Sequence, residues 1–187
     1  LRLAQLDSRA CRQLLNQAMA CRTSLEVEHL LAQFRMNQQD TPLVTPRCIS
    51  LDNDWNSKEE VMKGMTDNLL LAGRCRYPRK LEADLWAREA VFSTGLGFSF
   101  AIPHSKSEHI EQSTISVARL KAPVMWGDEE AQFIIMLTLN KHAAGDQHMR
   151  IFSRLARRIM HEDFRNALVN AISGEAIASL LQHELEL

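Results

Sequence analysis

The sequence predicts an α/β domain, a mixed β-sheet sandwiched by helices, with a short helical extension in front of it. Three observations carry this. Ala131 to Leu139 (AQFIIMLTL) is a nearly continuous apolar run whose length and β-branched content fit a strand buried on both faces. Thr114 to Leu120 alternates with period two, as a half-buried strand does. Stretches with apolar residues at three- and four-residue spacing lie on both sides of these strands. Hairpin-like and crossover connections both occur in that order, so the sheet is expected to be mixed.

Taken in order, residues 1–39 read as two short helices. Leu3, Leu6, Ala10, Leu14 and Ala18 form one stripe, and Val27, Leu30, Leu31 and Phe34 the next, with Ser24 as a candidate cap. Asn37 to Arg47 is polar and carries Pro42 and Pro46, a linker signature. The division is therefore expected at 1–47 and 48–187. Cys48 to Leu51 is a strand candidate. Ser57 with Glu60 three residues later forms a capping box, ahead of a helix whose buried face is Val61, Met65, Leu69 and Leu70 and which Gly73 closes. Arg74 to Arg79 reads as a basic loop, Leu81 to Val91 as a helix, and Phe98 to Ile102 as a short apolar strand ending at Pro103-His104. Ser105 to Gln112 reads as a polar segment, and Lys121 to Glu130, with Pro123, as a turn or short strand excursion. Helices follow from Asp146, from His161 and after Ser173-Gly174.

The totals exclude several classes of function. The net charge is −1, so no global field draws the chain to nucleic acid or an anionic membrane. Aromatics at 6% do not furnish a base-stacking platform. The arginines at 2, 9, 12, 22 and 35 are offset by Asp7, Glu26 and Glu28, the pattern of a solvated face. Cys11, Cys21, Cys48 and Cys75 have neither zinc-ligand spacing nor the context of a disulfide scaffold, so reduced thiols in a cytoplasmic protein are expected. No apolar run reaches the roughly 18 residues of a membrane span, and the first residues are no signal peptide. The chain opens on Leu1 rather than Met, which suggests a piece of a longer protein.

The chemistry gathers around Gly95-Leu96-Gly97-Phe98-Ser99-Phe100-Ala101-Ile102-Pro103-His104. Proline fixes its own φ and pushes the preceding residue to extended geometry. An imidazole held just past such a strand suits a nucleophile or ligand, or is a surface histidine. Arg88 ends the helix leading into the glycine turn. His148 falls in the first turn of the helix after the most buried strand, four residues before Phe152. Two imidazoles, a guanidinium and a helix N-terminus around one spot would bind a phosphoryl group. His29, His109, His142, His161 and His183 read as structural or surface residues. Arg154, Arg157 and Arg158 either face an acidic partner or form a solvated helix face.

Gly95-Leu96-Gly97 followed by Ala101-Ile102-Pro103-His104, with Arg88-Glu89 and Ser93-Thr94-Gly95 upstream and Asp146-Gln147-His148-Met149 downstream, resembles the active-site pattern of enzyme IIA of the sugar phosphotransferase system, fructose/mannitol type. The resemblance covers about residues 48–187; Phe98-Ser99-Phe100 is bulkier than that pattern, and residues 1–47 match nothing in a free-standing enzyme IIA. It implies that His104 accepts a phosphoryl group from the phosphorylated histidine carrier protein. His148 would then hydrogen-bond the phosphoryl oxygens, and Arg88 would neutralise their charge. It implies no metal and no organic cofactor. Onward transfer would go to a IIB domain, or the phosphorylation would be read by regulatory domains of the same chain in a sugar-operon transcriptional regulator. The sequence reading leans to the regulator. DNA contact would come only through regions upstream of this segment, and no membrane contact is expected.

Overall fold

The computed structural model describes residues 8–21, 23–28, 30, 42–142 and 147–187. The chain divides into two compact units, Leu1–Thr41 and Pro42–Leu187. In the first, helix α1 spans Ser8–Ala20, and residues 24–28 are helical. Leu30 is helical too, and positions 1–7, 22, 29 and 31–41 lie outside the described residues.

The second unit holds a six-stranded mixed sheet. Its strands are β1 (Ile49–Asn53), β2 (Gly95–Gly97), β3 (Ser99–Ala101), β4 (His104–Ser107), β5 (Thr114–Trp126) and β6 (Glu129–Asn140). The order is β1-β5-β6-β3-β2, with β4 paired to β6. β5 and β6 form the antiparallel hairpin at its centre, while β1 runs parallel to β5 and β3 and β4 run parallel to β6. Helices α2 (Lys58–Leu71) and α3 (Pro78–Glu89) precede β2; α4 (Gln147–Ile159), α5 (Glu162–Asn170) and α6 (Gly174–Leu185) follow β6.

Two apolar cores flank the sheet. Phe133, Ile135 and Leu137 join Ile151, Leu155 and Ile159 of α4 and Phe164, Leu168, Ile177 and Leu181 of α5 and α6. Ile134 and Met136 join Val61, Met62, Met65 and Leu69 of α2 and Leu81 and Leu85 of α3. Period-two alternation along β6 thus feeds both layers, which is why its sequence is apolar throughout. The stretch 42–47 belongs to this unit: Val44 is fully buried, and the Leu43 carbonyl accepts the Ile115 N–H at 2.7 Å.

Local chemistry sets the helix ends. Ser57 Oγ accepts from the Glu60 N–H at 3.1 Å, and Glu60 reaches back to the Asn56 N–H at 2.7 Å. Gly73, at φ 71°, ends α2. Its own N–H donates to the Leu70 carbonyl, and the next N–H, of Arg74, donates to that of Leu69, a Schellman closure that needs the left-handed residue.

One expectation is corrected and two are made finer. Phe98 to Ile102 is not one strand: Phe98 (φ 53°) and Ser99 (φ 65°) are left-handed, so the chain folds back as the tight β2–β3 hairpin and Phe98 leaves the ladder. Of the two readings of Lys121 to Glu130, turn or short strand excursion, the strand holds for most of it. β5 continues to Trp126, Pro123 sits where the β5–β6 register slips between Arg119 and Val124, and the reversal is at Gly127-Asp128. The polar segment from Ser105 to Gln112 begins inside strand β4, which ends at Ser107.

Candidate functional site

His104 is placed by a strand line broken at one residue pair. β3 pairs with β6 as far as Ala101–Ile134, and β4 resumes beside β6 at His104–Leu137. Between them stands Ile102-Pro103. Proline cannot donate to a ladder, but its carbonyl still accepts the Leu137 N–H at 2.9 Å, and the Ile102 N–H donates to the Thr94 carbonyl at 3.0 Å. Both sides of the break are tied down, and His104 starts β4 with fixed backbone. Beyond the break β4 hydrogen-bonds to β6 alone, leaving an open edge where α3 and α4 come near one another.

A pocket of about 510 Å³ lies at that edge. Asp84, Ala87 and Arg88 of α3 form one wall, Met149 and Phe152 of α4 another, and His104, Lys106 and Leu137 the floor. The Phe152 ring packs on the imidazole, with centroids 4.6 Å apart.

The two ring nitrogens have partners of opposite kind. Nδ1 lies 2.9 Å from the Ile102 carbonyl, which can only accept. Arg88 Nε donates to Nε2 at 3.1 Å, and a guanidinium can only donate. The pair dictates a neutral ring with the proton on Nδ1 and the lone pair on Nε2, facing the pocket's cation. Arg88 is in turn held by a bond from its guanidinium to the Phe92 carbonyl at 3.2 Å.

Burial pushes the His104 pKa below its ordinary 6.5, opposed by the hydrogen bond to Ile102; the Arg88 charge pushes the same way as burial, and Glu89 opposes it. The neutral, nucleophilic ring therefore persists to lower pH than in a free histidine. Because the folded pKa is depressed, the associated stability is present above about pH 6.5 and is lost as pH falls through the folded value. We expect the histidine's NMR titration midpoint to lie below 6.5. A midpoint at or above 6.5 would contradict the burial argument.

Behind Arg88 sits Glu89, buried at the end of α3. One carboxylate oxygen accepts from Lys58 Nζ at 2.6 Å and the Thr94 N–H at 3.0 Å; the other accepts from Thr94 Oγ1 at 2.6 Å. Thr94 Oγ1 also accepts from Trp126 Nε1 at 3.1 Å, and the Lys58 ammonium lies 4.9 Å from a Trp126 ring centroid. Burial alone would raise the Glu89 pKa, but the bonds from Lys58 and Thr94 outweigh it and hold the carboxyl below its usual range.

Two of the three residues singled out in the sequence, Arg88 and His104, thus meet in direct hydrogen-bond contact. The third, His148, stands in the first turn of α4, one turn before Phe152; its side chain lies outside the described residues. Sequence reasoning missed the aromatic wall of Phe152, the exposed Lys106 and the anchoring role of Glu89. Lys106 carried a signal: two residues beyond His104 on a strand, it shares the same face. Phe98 and Phe100 stay out of the pocket: Arg165 stacks on the Phe98 ring at 4.0 Å, and Phe100 packs on Phe133 at 4.9 Å. Among the described residues no group of three or more His, Cys, Asp or Glu could hold a metal ion, and no helix is long and apolar enough to cross a membrane.

Comparisons with known proteins bear on the family and the fold. The family model "Phosphoenolpyruvate-dependent sugar phosphotransferase system, EIIA 2" matches residues 42–184. The chain is 90% identical over 186 residues to multiphosphoryl transfer protein 2 of Escherichia coli strain K12, covering 100% of this chain and 22% of that protein. It is 30% identical over 154 residues to the PTS system fructose-specific EIIA component of Haloferax volcanii, covering 81% of this chain and 100% of that protein. The fold matches nitrogen regulatory protein IIA-Ntr of Neisseria meningitidis (TM-score 0.66, 24% identity, 74% of this chain and 96% of that one). It also matches IIA mannitol of Escherichia coli (TM-score 0.61, 21% identity, 74% of this chain and 98% of that one). The chain spans about a fifth of the length of the multiphosphoryl transfer proteins it matches. With a neutral imidazole held against an arginine at the edge of this sheet, and with that match across most of its length, the chain belongs to the EIIA 2 family of the phosphoenolpyruvate-dependent sugar phosphotransferase system, as a phosphoacceptor domain.

Proposed function

We propose that His104 is the phosphoryl acceptor, through Nε2, and that the domain relays the group to a IIB domain during sugar uptake. The observation that carries the reading is the tautomer: the Ile102 carbonyl holds the proton on Nδ1, so Nε2 offers its lone pair. In the transfer, a bond forms from Nε2 to phosphorus as the bond to the donor's nitrogen breaks. The electron pair of that bond returns to the donor ring, and the Nδ1 proton stays against Ile102. Arg88 gives up its contact with Nε2 and turns its charge to the phosphoryl oxygens. Such transfers depend on in-line positioning and charge stabilisation rather than on further covalent help. Phe152 and Leu137 keep water from the P–N bond. His148 supplies a further hydrogen bond to the phosphoryl group from the start of α4. The domain works in the cytoplasm, where the phosphorylated histidine carrier protein supplies the group.

The alternative setting is a sensory domain of a transcriptional regulator. The relay is favoured by the 90% identity to a multiphosphoryl transfer protein, which extends through residues 1–41 as well as the sheet domain. A solved complex of enzyme IIA mannitol with phosphorylated enzyme IIB mannitol shares the fold (TM-score 0.62). The test is passage of labelled phosphate from phosphoenolpyruvate through the general proteins of the system to this chain and then to an isolated IIB domain. We expect label on both. Arg88→Gln should slow acceptance by about a hundredfold, the usual cost of removing one preorganised charge at a transferring group. His148→Ala should still accept label and pass it on poorly. Label that stops on this chain with every IIB domain tried would favour the regulatory setting.

A further inference from the structure

Helix α4 carries a second constellation, turned away from the sheet. Its apolar face (Ile151, Leu155, Ile159) is buried, and its other side bears Arg150, Ser153, Arg154, Arg157 and Arg158. Arg150, Ser153, Arg154 and Arg157 follow the i, i+3, i+4, i+7 spacing of one helical face. They line a groove of about 520 Å³ between α4 and the C-terminal turn of α6, within the size range of small-molecule sites. Met149, Ile151 and Leu185 add hydrocarbon to its walls.

The charges do not cancel locally. Arg158 pairs with Glu184 at 2.7 Å, and Arg154 pairs with Glu186 at 2.8 Å while donating to the Leu185 carbonyl at 3.0 Å. Those contacts occupy the acidic groups at the C-terminal end of α6, Glu184 and Glu186. Among the described residues the guanidiniums of Arg150 and Arg157 make no hydrogen bond or ion pair, and both are exposed. One carboxylate, that of Glu186, opposes an incoming anion. It is three-quarters exposed, on a left-handed cap residue (φ 53°) past the helix end, so it can turn to water.

We propose that this groove is a second binding site, for a small organic phosphate. Guanidinium forks match the oxygens of a phosphomonoester, and a dianion engages two or three of them at once. The Ser153 hydroxyl supplies a neutral donor, and the hydrocarbon wall takes the carbon skeleton, which bare phosphate lacks. The groove adjoins the His104 pocket, since Met149 lines both. An occupant therefore sits beside the surface a phosphoryl-transfer partner must cover.

The experiment is an NMR titration of the 187-residue chain, without a phosphoryl donor, at constant ionic strength. The probes are a sugar monophosphate, a sugar bisphosphate, inorganic phosphate and the unphosphorylated sugar. We expect saturable shifts at Arg150, Ser153 and Arg157 with a Kd below about 1 mM for a sugar phosphate, and binding of inorganic phosphate at least about tenfold weaker. The neutral sugar should not bind. Arg150→Gln with Arg157→Gln should lose about tenfold or more in affinity, while Tm and label acceptance at His104 stay unchanged; Arg157→Gln alone should lose severalfold. His104→Ala should bind as the wild type does. No saturation by about 10 mM, equal affinity for inorganic phosphate, or loss of binding in His104→Ala would overturn the proposal. The readout needs no transfer chemistry, so failure of the relay would leave it standing.

Discussion

His104→Ala is expected to abolish labelling completely while leaving the fold intact. The imidazole is only half-buried, and its backbone is fixed by bonds the substitution does not touch: Pro103 O to the Leu137 N–H and the β4–β6 ladder. Loss of a half-buried ring at a pocket wall costs little packing, so the Tm should stay within a few degrees. Loss of Nε2 removes the only atom to which phosphorus bonds in the proposed step. Of the neighbouring hydroxyls, Ser105 is buried and Ser107 is committed to Asp84. Phosphoryl acceptance is read by acid-labile label on the protein, and stability by thermal unfolding. Label retained on the variant would move the acceptor elsewhere; label lost together with the fold would leave the acceptor unassigned, and His104→Gln, closer in volume, would then replace it.

The second large effect is expected at Glu89→Gln. The substitution keeps shape but removes the charge that Lys58, itself mostly buried, is paired with. Breaking a buried pair from one side costs about 3–5 kcal/mol, a fall of roughly 10 °C in Tm for a chain of this size. Removing both charges, as Lys58→Met with Glu89→Gln, should recover much of the loss, because no ion is then stranded. The carboxylate also anchors Thr94, whose carbonyl holds Ile102, whose carbonyl holds Nδ1 of His104. The ring-nitrogen shifts of His104 should therefore move in Glu89→Gln and stay moved in the double variant, even as stability returns. Unchanged shifts would confine Glu89 to stability. Its depressed pKa gives a sign as well. The wild-type stability that Glu89 contributes is present above about pH 4.5 and is lost as pH falls through the folded value. The Gln variant should lack that component of acid sensitivity.

Much of this arrangement was legible in the residues, for identifiable reasons. β6 stood out because it serves two cores at once, and α2 because its cap and its closing glycine are both local signals. Arg88 and His104 were legible as a pair because α3 leads into the hairpin with few residues between. Other features depended on distant partners. β4 reads His-Ser-Lys-Ser, with serines where a strand usually has apolar residues, since the Ser107 hydroxyl donates to Asp84 and its oxygen accepts from the His109 N–H. Pro123 implied a break, yet the register slip in β5 absorbs it. Phe98 looked like a strand residue and is instead a left-handed turn residue stacked under Arg165, a partner 67 positions away in the chain. Phe152 registered only as a packing residue, because nothing local marks a phenylalanine as the wall of a pocket on another element.

The open edge of β4 has a consequence for the chain's behaviour in a crowded solution. In the proposed relay this site would meet its partners beside an uncovered sheet edge, and uncovered edges recruit strands from other molecules. Here the edge is four residues long, interrupted by proline on one side, and carries an exposed lysine at its centre. It is too short and too polar to template a neighbour. The same polar residues that hide β4 from periodicity keep two copies of the protein from zipping together along the edge beside His104.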